Sequence, residues 1–193
     1  FFAGLSHAEI RPGIICWFIF SSHPRLKLTY EKARDILDTA EQVCSAVIVS
    51  EAVKRVALEI AAKLSDKQPL VLSVMGGSVV FTGHLLPLLG FPLDFDYIHV
   101  SRYDDDTSGG EINWKVAPRE NVKGRTVLVL DDILDEGRTL AAIRERILSA
   151  GAKSFFSAVL AYKDTGKPKP IQADFVGVTV PNRYVFGYGM DVY

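Results

Sequence analysis

Thr126-Val127-Leu128-Val129-Leu130-Asp131-Asp132-Ile133-Leu134-Asp135-Glu136-Gly137-Arg138-Thr139 is the stretch on which the fold turns. Its apolar residues from Val127 to Leu130, with Ile133, predict a strand covered on both faces, as in a parallel sheet. A helix from about Arg138 to Ala150 reads as the crossover that follows. Ligands of such sheets bind beyond the carboxyl ends of the strands, where Asp131 to Thr139 lie. Backbone N–H groups from Asp135 to Thr139, at the start of a helix whose dipole favours anions, can wrap a phosphate, and Gly137 lets the main chain approach closely. Thr139 adds a hydroxyl donor, while Asp131 and Asp132 can accept from two ribose hydroxyls or help hold a divalent cation. The same residue types also serve receiver-like and phosphatase-like α/β folds, and Asp-Glu-Gly can be a plain turn. The rest of the chain has to choose between these readings.

A chain of 193 residues, 48% hydrophobic, suits one domain with one sizeable core. The formal net charge of -1 suggests neither a nucleic-acid-binding nor a membrane-attracted surface. The only two cysteines, Cys16 and Cys44, lack paired spacing, which argues against a disulfide framework or a zinc site and fits a reducing, cytoplasmic setting. The four histidines are scattered, as packing or surface residues are. Near the start, Ile14 to Phe20 is an apolar run like the core of a signal peptide, but it is shorter than the roughly 20 residues needed to span a bilayer and no clean cleavage pattern follows. Residues 1 to 28 therefore read as an extension that packs on the domain or on a neighbouring subunit, and residues 29 to 193 as the domain itself.

Helical spacing of Tyr30, Ala33, Ile36, Leu37, Ala40, Val43, Cys44 and Val47 predicts an amphipathic helix. A second, N-capped by Ser50, is expected to bury Ala52, Val53, Val56, Ala57, Ile60 and Leu64. Leu70 to Val74 reads as a strand, Gly76-Gly77 as its break and Ser78 to Leu89 as a helix. Leu93 to Val100 alternates as a strand, with Leu93, Phe95 and Tyr97 on one face and Ile98 and Val100 on the other. Ser101 to Ile112 is loop chemistry, and Trp114 to Ala117 pairs back to complete a long hairpin. Phe155 to Tyr162 is another buried strand, followed by a loop rich in Lys and Pro. The fold class expected is α/β, a doubly wound, mainly parallel sheet flanked by helices, with a small accessory lobe (hood) and a flexible lid hairpin.

The strand, the Asp131-Asp132 pair, the Asp135-Glu136-Gly137-Arg138 turn and Thr139 together resemble the phosphoribosyl-diphosphate (PRPP) motif of type I phosphoribosyltransferases. From about Tyr30 to Tyr193 the chain resembles the hypoxanthine-guanine branch of that family. The resemblance implies that Met75-Gly76-Gly77 is the turn that meets pyrophosphate. Here the chain departs from the family, which places a lysine where Met75 stands, so a positive charge there is missing or supplied elsewhere, for instance by Arg102. It implies that Ser101-Arg102-Tyr103 opens a lid that closes during reaction, shielding a cationic ribosyl centre from water. It implies that Lys163 donates to the six-position carbonyl of a 6-oxopurine base, that Tyr184 stacks on the ring with the Val185 main chain at its edge, and that Asp191 lies near base and metal.

The implied reaction is Mg²⁺-dependent displacement of pyrophosphate from PRPP by a purine ring nitrogen, a purine-salvage transfer giving IMP or GMP. Asp135 is the implied general base or acid at purine N7. Asp131 and Asp132 orient the ribose hydroxyls and, with Asp191, contribute to the Mg²⁺ site partly through PRPP and water. The partners expected are PRPP, the base, pyrophosphate and further copies of the chain in a homodimer or homotetramer, with no nucleic acid and no membrane. The alternative is a regulator that keeps the fold as a PRPP or nucleotide sensor. A sensor of that kind is expected to carry a nucleic-acid-binding element, and the sequence offers no basic stripe or helix-turn-helix extension.

Overall fold

A computed structural model describes residues 29–102 and 112–190. Residues 1 to 28, Tyr103 with the aspartates after it, and Asp191 lie outside the described residues. Six strands form one sheet: β1 (Leu70–Met75), β2 (Asp94–Arg102), β3 (Ile112–Val116), β4 (Thr126–Leu134), β5 (Ser154–Asp164) and β6 (Phe175–Pro181). Their order is β3-β2-β1-β4-β5-β6, parallel throughout except for β3, which pairs antiparallel with β2. The helices are α1 (Tyr30–Thr39), α2 (Ala46–Leu64), α3 (Val79–Leu85), continued by a 3₁₀ turn at Leu86–Leu88, and α4 (Arg138–Ser149).

Period-two alternation along the buried strands builds two cores. Val71, Leu128, Leu130, Ala158 and Leu160 face a layer containing α2 and α3, through Val53, Val56, Ile60, Phe81 and Leu85. Leu70, Leu72, Val127, Val129 and Val159 face α4, through Leu140, Ile143 and Ile147. The doubly wound sheet expected from the apolar runs is therefore present, and the crossovers lie on opposite faces because β1 leads outward to β2 and β4 leads the other way to β5. The predicted hairpin is present too, with β3 returning along β2.

The amphipathic spacing from Tyr30 to Val47 hides a break. Thr39 donates its hydroxyl back to the Asp35 carbonyl at 2.7 Å, Ala40 turns to extended backbone, and Ser45 caps α2 by accepting from the Ile48 N–H at 3.3 Å. Ser50 lies inside α2 and not at its start. The core residues expected of that helix, Ala52, Val53, Val56, Ala57, Ile60 and Leu64, are all buried.

The faces of β2 also differ from a simple apolar reading. Phe95 is exposed, whereas Asp96 is only 2% exposed and shares the inner side with Ile98. Burial pushes the Asp96 carboxyl up, but donors around it more than reverse this, so it sits below its ordinary value. Those donors are the N–H groups of Tyr97, Arg119 and Glu120 and the Arg119 guanidinium. The Arg119 N–H lies 2.6 Å from Oδ2. Asp96 thus pins the chain leaving β3 back onto β2, closing the base of the hairpin. Removing it orphans those N–H groups: Asp96→Ala should lose about 1–3 kcal/mol of stability in urea unfolding at neutral pH. Because its folded pKa is lowered, the contribution is complete above the ordinary carboxylate range and fades as pH falls through the folded value. The variant and parent should therefore converge in stability in strong acid.

Candidate functional site

Hydrogen bonding between β1 and β4 ends at Ser73 and Leu130, while β4 goes on pairing with β5 as far as Leu134 and Tyr162. The carboxyl half of β4 is thus released on one side at the point where the strand order reverses. A cavity of about 450 Å³ opens there. Its walls include Asp131, Asp132, Asp135, Gly137 and Thr139 from β4, the turn beyond it and α4, Lys163 from β5, and Tyr184, Val185 and Met190 from the C-terminal segment.

The phosphate-type turn follows from local backbone rules. Gly137 takes φ +80°, the left-handed region in which a side chain would be strained, and from there α4 begins with no side-chain cap among the described residues. The N–H groups of its first turn carry the positive end of the helix dipole, which favours an anion. Thr139 and Gly137 line the cavity, but the Glu136 and Arg138 side chains pair with each other at 3.4 Å, both more than half exposed, outside the lining.

Asp131 and Asp132 complete β4. Asp131 Oδ1 accepts from the Asp132 N–H at 3.0 Å and Asp132 Oδ1 from the Ile133 N–H at 2.8 Å. The Asp132 carboxylate presses against Gly77: a Cβ built there would fall 2.6 Å from its Cγ. This turn, Met75-Gly76-Gly77, is therefore adjacent to the acid pair although it does not itself line the cavity. Met75 is half-buried, Gly76 exposed, and the peptide between them is cis. Ser101 and Arg102 end β2, with Tyr103 beyond the described residues.

At the opposite end of the cavity Lys163, in the last turn of pleat of β5, donates to Asp135 Oδ2 at 2.5 Å. The lysine side chain is 12% exposed and the acid 40%, so the pair is sheltered from beneath and open to the cavity. The C-terminal segment supplies the remaining wall. Tyr184 is half-buried with its ring 6.1 Å from that of Phe186, and Val185 is buried. The segment then turns through Tyr188 and Gly189, both with positive φ, and closes with a bridge between Gly187 and Met190. A Cβ on Gly189 would meet the Gly77 carbonyl oxygen at 2.7 Å, so the C-terminal segment and the Gly76-Gly77 turn touch.

One side chain beside the cavity was not singled out by sequence reasoning. Lys169, in the Lys- and Pro-rich loop, sends its ammonium between the ends of β4 and β5, donating to the carbonyls of Leu134, Asp135 and Lys163. A lysine in such a loop reads as solvated, and only the fold brings it here. The described residues hold no cluster of three or more His, Cys, Asp or Glu able to cage a metal. A pair of carboxylates on an open wall instead fits a hydrated divalent ion that takes most of its oxygens from a phosphorylated substrate and from water.

Comparison with known proteins agrees with this geometry. The phosphoribosyl transferase domain matches residues 40–192. The hypoxanthine-guanine phosphoribosyltransferase of Streptococcus pneumoniae is 33% identical over 144 residues, 74% of this chain and 80% of that protein. The bifunctional protein TilS/HprT of Listeria innocua is 36% identical over 144 residues, 74% of this chain, though the match spans only 22% of that longer protein. A crystal structure of a hypoxanthine-guanine phosphoribosyltransferase from Bacillus anthracis superposes with a TM-score of 0.71 at 27% identity, covering 75% of this chain and 86% of that one. With the acid pair, the uncapped helix start and the Asp135–Lys163 pair around one cavity at the sheet's switch point, the chain belongs to the phosphoribosyltransferase family, in its hypoxanthine-guanine branch.

Proposed function

We propose that the chain salvages purines by transferring the phosphoribosyl group of PRPP to a 6-oxopurine, hypoxanthine or guanine, giving IMP or GMP and pyrophosphate. The observation that carries this reading is the Asp135–Lys163 pair, 2.5 Å apart on one cavity wall, facing the segment of Tyr184 and Val185. An ammonium has three donors. Lys163 can keep one on Asp135 and offer another to a six-position carbonyl, which adenine, with an amino group there, cannot accept. Tyr184 offers a ring for the base to stack on and Val185 a main chain to read its edge.

On this reading Asp131 and Asp132 orient the ribose hydroxyls, and the N–H groups from Asp135 to Thr139 hold the 5′-phosphate. The Met75-Gly76-Gly77 turn, pressed on Asp132, receives the pyrophosphate, and Ser101, Arg102 and Tyr103 open the lid. The purine ring nitrogen forms its bond to ribose carbon one as the bond to pyrophosphate oxygen breaks, and pyrophosphate leaves with the electron pair. Asp135 takes the proton from the imidazole ring of the base. Asp131 and Asp132, with Asp191, would help hold Mg²⁺, whose charge neutralises pyrophosphate when bound. Assembly as a homodimer or homotetramer, a cytoplasmic setting, and a catalytic domain at residues 29 to 193 belong to the same reading.

Incubation with PRPP, Mg²⁺ and each of hypoxanthine, guanine, xanthine and adenine should give nucleotide with hypoxanthine or guanine, none with adenine, and none after chelation of the metal. Absence of product with every base would overturn the proposal. Asp135→Asn, which keeps the shape but loses the basic oxygen, should lower turnover by about a hundredfold or more with the KM for PRPP little changed. Unaltered turnover would remove Asp135 from the proton transfer. In Gly77→Ala the added methyl must displace the Asp132 carboxylate, so the KM for PRPP should rise roughly tenfold, the worth of one hydrogen bond to a charged group.

A further inference from the structure

The Lys169 ammonium is matched donor for acceptor. It donates to the Leu134 carbonyl at 3.1 Å, to the Lys163 carbonyl at 2.7 Å, and to the Asp135 carbonyl. These oxygens come from the last residue of β4, the first residue of the turn beyond it and the penultimate residue of β5. One ammonium thus ties together three carbonyls from the ends of two neighbouring strands. The stem of Lys169 is held as well: its Cβ would be 3.5 Å from a Cβ placed on Gly137, and its Nζ lies 4.6 Å from the centre of the Tyr162 ring.

We propose that Lys169 is a positioning residue for the base. By clamping the main chains of Asp135 and Lys163 to one cation, it fixes the separation and aim of the two side chains that meet the purine. The proposal rests on the reading of Asp135 and Lys163 given above and deepens it. Both side chains of the pair grow from backbone that Lys169 holds by its carbonyl, so slack in the clamp would appear directly at the base. The phosphate end depends on it less, because α4 is anchored independently through Leu140, Ile143 and Ile147 in the second core. Burial draws the Lys169 ammonium below its usual range, with Lys163 acting in the same direction and Asp135 opposing. The site thus tolerates a desolvated second cation beside Lys163, a cost that a merely surface lysine would not carry.

Lys169→Met keeps the stem and removes the donors, while Lys169→Arg keeps charge and donors in a planar form. In the full chain, hydrogen–deuterium exchange over residues 133–139 and 160–166 should quicken in Lys169→Met, less so in Lys169→Arg, with α2 unchanged. Displacing the pair by a fraction of an ångström to one ångström should cost about ten- to a hundredfold in kcat/KM for the purine, while the KM for PRPP stays within about twofold. Equal rises in the two KM values, or unchanged exchange at 133–139, would overturn the clamp. Should Lys169→Met fail to fold, Lys169→Arg carries the same comparison against the parent. If the parent makes no nucleotide from any base, the purine reading falls, and the exchange experiment still decides whether Lys169 ties the two strand ends.

Discussion

The ladder between β1 and β4 stops at Leu130, and most of the site follows from that. Had β1 continued alongside, Asp131 and Asp132 would be paired on both edges and their side chains committed to the two cores. Released on one edge, the strand keeps its pairing with β5 and opens a crevice where β1 was. Core parity changes at the same point. Leu128 and Leu130 belong to the first core and Val127 and Val129 to the second, but Ile133 packs with the first and Leu134 with the second. The two acids occupy the residues at which this inversion happens, so neither is buried outright and both remain on the cavity wall. An acid pair embedded in a continuous parallel ladder would face a desolvation cost of several kcal/mol per charge, and the early end of the β1–β4 ladder avoids it.

Charge is then distributed along the crevice by strand order. The acids of β4 lie at one end and Lys163 of β5 at the other, with Asp135 bridging from the turn between them. A substrate carrying phosphate at one end and a neutral carbonyl base at the other matches this gradient: N–H groups for the anion, an ammonium donor for the carbonyl. The Asp135–Lys163 pair is partly screened by solvent from the cavity side, so its worth is directional more than energetic. It holds each group in place for a partner that has yet to arrive.

Much of this was legible in the sequence where local rules govern. The apolar run ending in two acids, the glycine at a helix start and the apolar face of α2 each depend on residues close in the chain, and each is found where expected. The break between α1 and α2 was not legible, because Ala40, Val43 and Cys44 continue the helical spacing and only the hydroxyls of Thr39 and Ser45 turn the backbone away from it. Asp96 was missed for a different reason. An acid inside a strand reads as a solvent-facing residue, and its burial is permitted only by N–H groups more than twenty residues later. Lys169 is the same case in the site: thirty-four residues separate it from the Asp135 carbonyl it meets, and its own neighbours, Pro168 and Pro170, speak only of a loop. Sequence reading found the groups that line the cavity and overlooked one that ties two of their strands together.

The acid pair of β4 and the C-terminal segment share a wall, and this follows from contact at Gly77. Its α-carbon lies so close to Asp132 that no side chain fits, and its carbonyl oxygen lies so close to Gly189 that none fits there either. Between them Asp132, the Gly76-Gly77 turn and the C-terminal turn carrying Met190 form one continuous packing path. Tyr188 secures the far side, bonded to His84 of α3 with the rings edge to face at 5.0 Å, and burial pushes its hydroxyl above the usual tyrosine range, so it remains protonated near neutrality. The C-terminal segment therefore cannot shift toward a base without loading α3 and the turn at its start. Gly189 against Gly77, and Gly77 against the Asp132 carboxylate, leave no side chain at either glycine to absorb such a shift. The wall formed by Tyr184 and Val185 is thus tied, through Gly189 and Gly77, to the carboxyl end of β4.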